Sequence, residues 1–400
     1  MKQISPLLLR PQNIYGRSNM NTVFILSFIV IISIYFLYPI FLIIARRFIA
    51  FKVVKKNIYP KVSLIIPAHN EEVVIAKKVS NLKSLKYDTS KLEIIMVLDG
   101  CTDNTENIIR NDFPEILVLK NKKKRGKTYS LNKAIEISQG EIIIFNDADI
   151  FLKDDAVEKI ISNFNNNKVG CVAGRLVYFT EKDDNTITQK GENLYWKYEV
   201  YLRTLESDTG YLTVVSGAFY AARKDVLEKI PLDVSDDLYN PIKIVNKGYN
   251  VIFDKEAVAY AKSPENVSEE LMQKIRMVNQ GFKVVKRCWL DIYRTNLLFI
   301  IAVLFHKLLR WMVFIFLVSI FISNIFLLHE FFYLILSILQ VIFYALAAMG
   351  YCFDKKNIKL PYFILVPYYF CVINIAAAKG FWRFLIRTET ATWIKAQTTR

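Results

Sequence analysis

Runs of uncharged apolar residues bracket a long stretch of mixed polarity. Residues 21–45 carry no charge and exceed the roughly 20 apolar residues a helix needs to cross a bilayer core. The run is too long for a signal-peptide core and has no evident small-residue cleavage site, so it reads as an uncleaved anchor. Three more uncharged runs follow late in the chain, at 311–328, 331–353 and 360–378. They are separated by His329-Glu330 and by a polar loop at 354–359. A shorter apolar run at 297–305 leads into His306, Lys307 and Arg310. That pattern suits an interfacial helix at 297–310 lying on the membrane.

Residues 46–296, between these segments, alternate in character. Apolar runs at 61–67, 92–99, 115–120 and 141–147 read as buried strands. The intervening stretches 71–85, 103–111 and 127–138 read as helices. Strands that alternate with helices predict βαβ units and a mostly parallel, doubly wound sheet. Continuous Ile/Val/Leu runs predict that both sheet faces are covered. The expected organisation is a tail (1–20), an anchor (21–45), one α/β domain (46–296), the interfacial helix, membrane segments (311–378) and a basic tail (379–400).

Composition adds two constraints. The chain is 53% hydrophobic, which excludes disorder. It has 53 Lys+Arg against 37 Asp+Glu, a net charge of +16. Arg46, Arg47, Lys52, Lys55, Lys56 and Lys61 follow the first span, against Lys2, Arg10 and Arg17 before it. By the positive-inside rule the large domain faces the cytoplasm, in an integral protein of the cytoplasmic membrane. Lys355, Lys356 and Lys359 fit the same side. One more full span would put Lys379, Arg383, Arg387, Lys395 and Arg400 outside, so either the last segment is re-entrant or tilted or the rule fails there. A basic rim against anionic lipid explains the charge more simply than nucleic-acid binding. Cys101, Cys171, Cys288, Cys352 and Cys371 show no C-x-x-C spacing and are expected as free thiols.

In parallel sheets, ligands bind beyond the carboxyl ends of the strands. Three such ends are acidic: 67–72 (PAHNEE), 99–103 (DGCTD) and 146–149 (NDAD). Helix capping accounts for one such site comfortably and for three converging ones less well. In extended chain Asp147 and Asp149 would point to one side. Two hard carboxylates there suit Mg²⁺ or Mn²⁺ bridging to phosphate oxygens. Asp99 and Glu71 stand at neighbouring strand ends. Within the basic run 120–127, Lys127 sits beside Gly126 at a helix start and is the phosphate candidate.

The order PAHNEE, VLDGCTDNT, KRGK…LN and DAD resembles family 2 glycosyltransferases of GT-A fold, and most closely their membrane-integrated branch of cellulose, hyaluronan and poly-N-acetylglucosamine synthases. The resemblance runs over about residues 60–285. It extends to Val215-Ser-Gly-Ala-Phe219, to Ser235-Asp-Asp237 at the family's T-E-D, and to 273–277 at its Q-x-x-R-W. The resemblance implies these roles: Glu71 and Asp99 on the uridine part, Lys127 on the nucleotide, and Asp147 on ribose and diphosphate. It further implies Asp149 on the metal, Gly217 in the acceptor-facing loop, Asp237 as general base, and Gln273 and Arg276 closing over the donor. Asp236 is expected to be a structural or helix-start acid. The implied activity is inverting transfer of a sugar from a nucleotide sugar, UDP-linked, to a lipid-linked or glycan hydroxyl. Met277 replaces the family's Trp, which favours adding one or a few sugars over processive polymer synthesis and export. A non-catalytic, membrane-anchored nucleotide-binding scaffold is the alternative from another class.

Overall fold

A computed structural model describes residues 12–179, 187–263, 267–356, 358 and 360–387. Its centre is an eight-stranded sheet: β1 (Val62–Ala68), β2 (Leu92–Asp99), β3 (Leu117–Asn121), β4 (Ile142–Asn146), β5 (Phe151–Leu152), β6 (Val169–Phe179), β7 (Phe219–Arg223) and β8 (Asn250–Lys262). The spatial order is β3-β2-β1-β4-β7-β6-β8-β5. The first four strands are parallel, with Val62 opposite both Leu92 and Ile142. β7 runs antiparallel between β4 and β6, and β8 lies parallel to β6.

Strand order reverses between β1 and β4, which is where an open α/β sheet leaves a crevice. β1 is buried along its whole length, and so is β4. Helices on both faces produce that burial. One core gathers Leu64, Ile66, Met96, Ile144 and Ile160, and the other gathers Ile65, Val97, Phe145, Tyr220 and Ile242. Alternate residues of one strand therefore serve opposite cores.

Three helices are long and apolar enough to cross a membrane: Ser18–Phe48, Phe331–Lys355 and Tyr362–Leu385. The first contains a π-helical segment, Ser33–Leu37. A fourth apolar unit is broken. Leu297–Trp311 and Val313–Phe326 meet at a bend of 57°, so the pair is a broken span or a re-entrant loop.

The helix expected to lie on the membrane at 297–310 has an inner face inside the protein. Phe299, Ala302, Val303 and His306 are buried. Ala302 packs with Tyr38, Leu202 and Leu205. Its apolar side is spent on protein contacts before lipid.

The last helix runs past residue 378 and packs along the helix Val267–Arg287. Tyr369 donates to Glu270, the Gly380 backbone lies against Ile275, Phe384 stacks on Phe282 and Phe381 packs tilted against it. Its carboxyl-terminal end therefore sits against the sheet domain, with Arg383 in the wall of a cleft described below. Lys395 and Arg400 lie outside the described residues, as do Lys2, Arg10 and Lys359. All five cysteines are free.

Candidate active site

The loop between β3 and the helix Lys127–Ile137 is fixed from below by Asp99. Its Oδ1 accepts the Arg125 N–H at 2.8 Å and Asn121 Nδ2 at 3.0 Å, and its Oδ2 accepts the Gly126 N–H at 2.8 Å. Two glycines make the fold of the loop feasible. Gly100 (φ 63°) lies under the Lys123–Lys124 backbone, where a Cβ would come within 2.4 Å of a backbone nitrogen, and Gly126 has φ 94°. Asp99 is fully buried. The resemblance implies a place for Asp99 on the uridine part; its carboxylate accepts three protein donors and holds the loop. Glu71 is fully buried as well, and its backbone N–H donates to Thr105 Oγ1 at 2.8 Å.

The helix starting at Lys127 is clamped to the segment that leads to Asp237. Thr128 Oγ1 donates to Val234 O, and Asn132 exchanges two hydrogen bonds with Ile230. Lys127 Nζ then reaches Asp147 Oδ1 at 2.7 Å and Gly217 O at 2.8 Å. Both side chains of that ion pair are only 17–18% exposed. Burial opposes the Lys127 charge, but Asp147, Asp236 and Asp237 outweigh it and hold the ammonium above its usual range.

Asp147 and Asp149 are not presented as an extended pair. β4 ends at Asn146, and the Ile150 N–H closes a turn on Asp147 O at 3.2 Å. The same-side geometry expected for extended chain is thereby lost. Among the described residues no cluster of three or more His, Cys, Asp or Glu is arranged to hold a metal.

Gly217 is the junction. A Cβ placed there would lie 3.4 Å from Lys127 Nζ, 3.5 Å from Asp237 Cβ and 3.8 Å from Asp236 Oδ1. Asp236 and Asp237 open the helix Asp236–Asn246. Asp236 faces inward, accepting Tyr220 Oη–H at 2.8 Å, and Tyr220 in turn accepts Asn240 Nδ2 at 2.9 Å. Burial raises the Asp236 carboxyl to about 6, with Lys127 opposing. Asp237 is only partly buried and its backbone carbonyl accepts the Val215 N–H at 3.0 Å.

These groups line a polar cleft of about 440 Å³ that contains Lys127, Asp147, Gly217, Asp237, Gln273 and Arg276. Glu71, Asp99 and Asp149 are not in its wall. Burial lowers the Arg276 guanidinium from its usual range, and Asp147 and Asp237 oppose that. A second, mostly apolar cavity of about 650 Å³ adjoins it. Tyr35 and Phe36 of the π-helical segment, Met277, Trp311, Phe370 and Ile373 form much of its wall. Asp237, Lys274, Met277 and Lys307 line both spaces.

One buried cluster was missed in the sequence. Glu199, Arg203 and Glu206 lie on one face of the helix Ile187–Asp208. Glu199 accepts from Arg203 (3.2 Å), Arg310 (2.9 Å) and Lys307 (3.5 Å). His306 stands between Glu206 (2.6 Å) and Glu199 (3.2 Å). Tyr38 and Thr213 also donate to Glu206. The i, i+4, i+7 spacing of these charges was the available signal.

Residues 63–231 match the family described as glycosyl transferase family 2. The chain is 28% identical over 222 residues to a probable glycosyltransferase, YdaM, of Bacillus subtilis (50% of each chain). It is 28% identical over 174 residues to the beta-monoglucosyldiacylglycerol synthase of Nostoc sp. (42% of this chain, 37% of the relative). The chain thus spans half or less of the length of these curated relatives. The mannosyltransferase PcManGT of Pyrobaculum calidifontis, solved with GDP-Man and Mn²⁺, superposes with a TM-score of 0.70 over 92% of this chain and 100% of that one, at 18% identity. That likeness is one of fold. Residues 63–231 thus carry the glycosyl transferase family 2 match, and the fold around them is GT-A.

Proposed function

We propose that the protein transfers a sugar from a nucleotide sugar to a hydroxyl acceptor carried by the membrane, with inversion at the anomeric carbon. The observation that carries this reading is that Asp237 lines both the polar cleft and the apolar cavity. A charged donor suits the first and an acceptor with a greasy body suits the second. The glycolipid synthase among the relatives supports such an acceptor.

In this reading Asp237 takes the proton from the acceptor hydroxyl as its oxygen attacks the anomeric carbon. The bond from that carbon to the nucleoside diphosphate breaks, and the diphosphate leaves with the electron pair. Lys127 and Arg276 offset its charge, and Gln273 closes over the donor beside them. Asp236, tied to Tyr220, fixes the helix start from which Asp237 projects. One displacement with one base gives inversion.

Asp149, with Asp147 beside it, would hold Mg²⁺ or Mn²⁺, which would supply positive charge to the diphosphate. Asp149 stands outside the cleft wall, so its carboxylate would have to turn toward the cleft for the two to share an ion whose shell phosphate and water complete. The solved neighbour, crystallised with Mn²⁺ and a nucleotide sugar, supports that fit. The sequence motifs favour a UDP-linked donor, and the lysines and arginines after the first span favour the cytoplasmic face.

The test is a panel of labelled UDP- and GDP-sugars incubated with membranes containing the full chain. Transfer from one donor into a lipid-extractable product is expected. Unchanged turnover in Asp237→Asn and Asp149→Ala would refute the catalytic assignment.

A further inference from the structure

One buried cation of the sheet domain has no part in the chemistry above. Lys78, on the helix Ile75–Lys83, is fully buried and lines neither cavity. A lysine is almost never placed so deep unless acceptors meet its ammonium. Lys78 Nζ donates to Asn146 Oδ1 and to Ile150 O. These two residues flank the segment that carries Asp147 and Asp149. Asn146 is the last residue of β4, and the Ile150 N–H closes the turn on Asp147 O. One ammonium thus ties the start of the turn to its end.

The neighbouring links fix the same two ends. Asn146 Nδ2 donates to Ala218 O at 2.8 Å, and the Asp147 N–H donates to that carbonyl at 3.3 Å. The turn is thereby joined to the Gly217 loop, whose carbonyl takes Lys127 Nζ. Asn146, Ala148 and Ile150 are buried, whereas Asp147 and Asp149 are half-buried. The two acids are therefore the accessible members of a turn whose other residues are held inside. Asn81, three residues along the helix from Lys78, makes a useful contrast. It exchanges hydrogen bonds of 2.7 and 2.8 Å with the Leu152 backbone, so it fastens the same helix to the chain just beyond the turn.

We infer that Lys78 is a positioning residue that sets the Asp147–Asp149 turn for a divalent cation shared with the donor diphosphate. The inference rests on the metal role proposed for Asp149. Fixed ends confine any rearrangement to the three residues between them, so Asp149 can turn toward the cleft while Asp147 keeps its place beside Lys127. Lys78 itself touches neither ion nor donor. Without its ammonium, Asn146 Oδ1 and Ile150 O lose a donor inside the protein, and the two ends of the turn are no longer linked through one group. Carboxylates that bind a cation depend on such support for their direction.

The experiment is calorimetric titration of the full chain in detergent with UDP and with GDP, each in MnCl₂ and in EDTA. Thermal melting of every variant serves as the fold control. The wild-type chain should bind one nucleotide at least about ten-fold tighter with Mn²⁺ than in EDTA. Lys78→Met should bring that ratio to about one while binding in EDTA persists, because Lys127 and Arg276 remain. Asn146→Ala removes the acceptor of Lys78 at the end of β4. It should lower the ratio several-fold, and it decides the question if Lys78→Met does not fold. Asn81→Ala costs the same helix two hydrogen bonds, and it should lower the melting temperature yet keep the wild-type ratio. An unchanged ratio in folded Lys78→Met or in Asn146→Ala, or an equal loss in Asn81→Ala, would overturn the inference and leave the metal role standing. A wild-type chain indifferent to Mn²⁺ would overturn the metal role itself, and the inference with it.

Discussion

The two spaces that meet at Asp237 are built on different principles. The polar cleft stands at the carboxyl ends of parallel strands, and its groups are held by short local links. Asp99 pins the 125–126 backbone, Asn132 pins Ile230, and Lys127 spans Asp147 and Gly217. The apolar cavity has no such scaffold. It is assembled from helices far apart in sequence, with Tyr35, Met277, Trp311 and Phe370 in one wall. The polar cleft is built mostly on the sheet domain, with Lys307 and Arg383 added from the apolar helices, whereas the apolar cavity is lined mostly by helices.

That contrast can be broken at five points. The largest effect is expected at the shared residue. Asp237→Asn should lower turnover by about 10³-fold while nucleotide binding persists, measured by product formation and by nucleotide titration. Lys127→Met touches only the polar side. It should lower turnover by about 10²-fold and also weaken nucleotide binding, because a buried cation facing the leaving group is lost. Gly217→Val adds methyls beyond a Cβ that would already touch Lys127 and Asp237. A loss of about ten-fold in kcat is expected, with Gly217→Ala close to wild type.

Gly281→Val should act on the apolar side alone. A Cβ there would sit 2.2 Å from the Trp311 ring, so the ring must move. A several-fold rise in acceptor KM is expected with donor KM unchanged, and destabilisation of about 1–3 kcal/mol.

Asp236 supplies the smallest effect on activity and one on pH. Its folded carboxyl titrates near 6 against an ordinary 3.8, so the folded state holds the proton more tightly than the unfolded one. The resulting stabilisation is full below about pH 4 and is lost as pH rises through 6. Asp236→Asn should flatten that part of the thermal stability profile, by an amount on the order of 2 kcal/mol.

The same division explains what could be read from the chain. β1 to β4 are short apolar runs, and each stands within two residues of its expected place. β5 to β8 escaped notice, β6 and β8 the longest of them. Gly174 interrupts β6 because the Phe219 ring occupies the space a Cβ would need, and Asp254 to Glu256 interrupts β8 at the register shift beside Gly174–Arg175. These are long-range packing requirements, and local pattern does not carry them.

In the site, Lys127, Asp147, Gly217, Asp237, Gln273 and Arg276 come together from five motifs dispersed along the chain. Asp99 was legible as important, but the direction of its carboxylate was not, since that depends on where the 122–126 loop folds. Trp311 packs on Phe282 and lines the cavity, as does Met277, the position where the motif has its aromatic residue. The basic end of the last helix was assigned to no side, because sequence could not tell a full span from a re-entrant or tilted segment. Packing along Val267–Arg287 returns that end to the sheet domain.

The most direct measurement reconstitutes the full chain in lipid vesicles with a labelled nucleotide sugar and follows where the label goes. The prediction is label in the organic phase, on a lipid whose mass has grown by one or a few sugar units, and its disappearance in Asp237→Asn. A water-soluble ladder of long products, or equal transfer to a soluble sugar without lipid, would contradict the meeting of donor cleft and lipid cavity at Asp237.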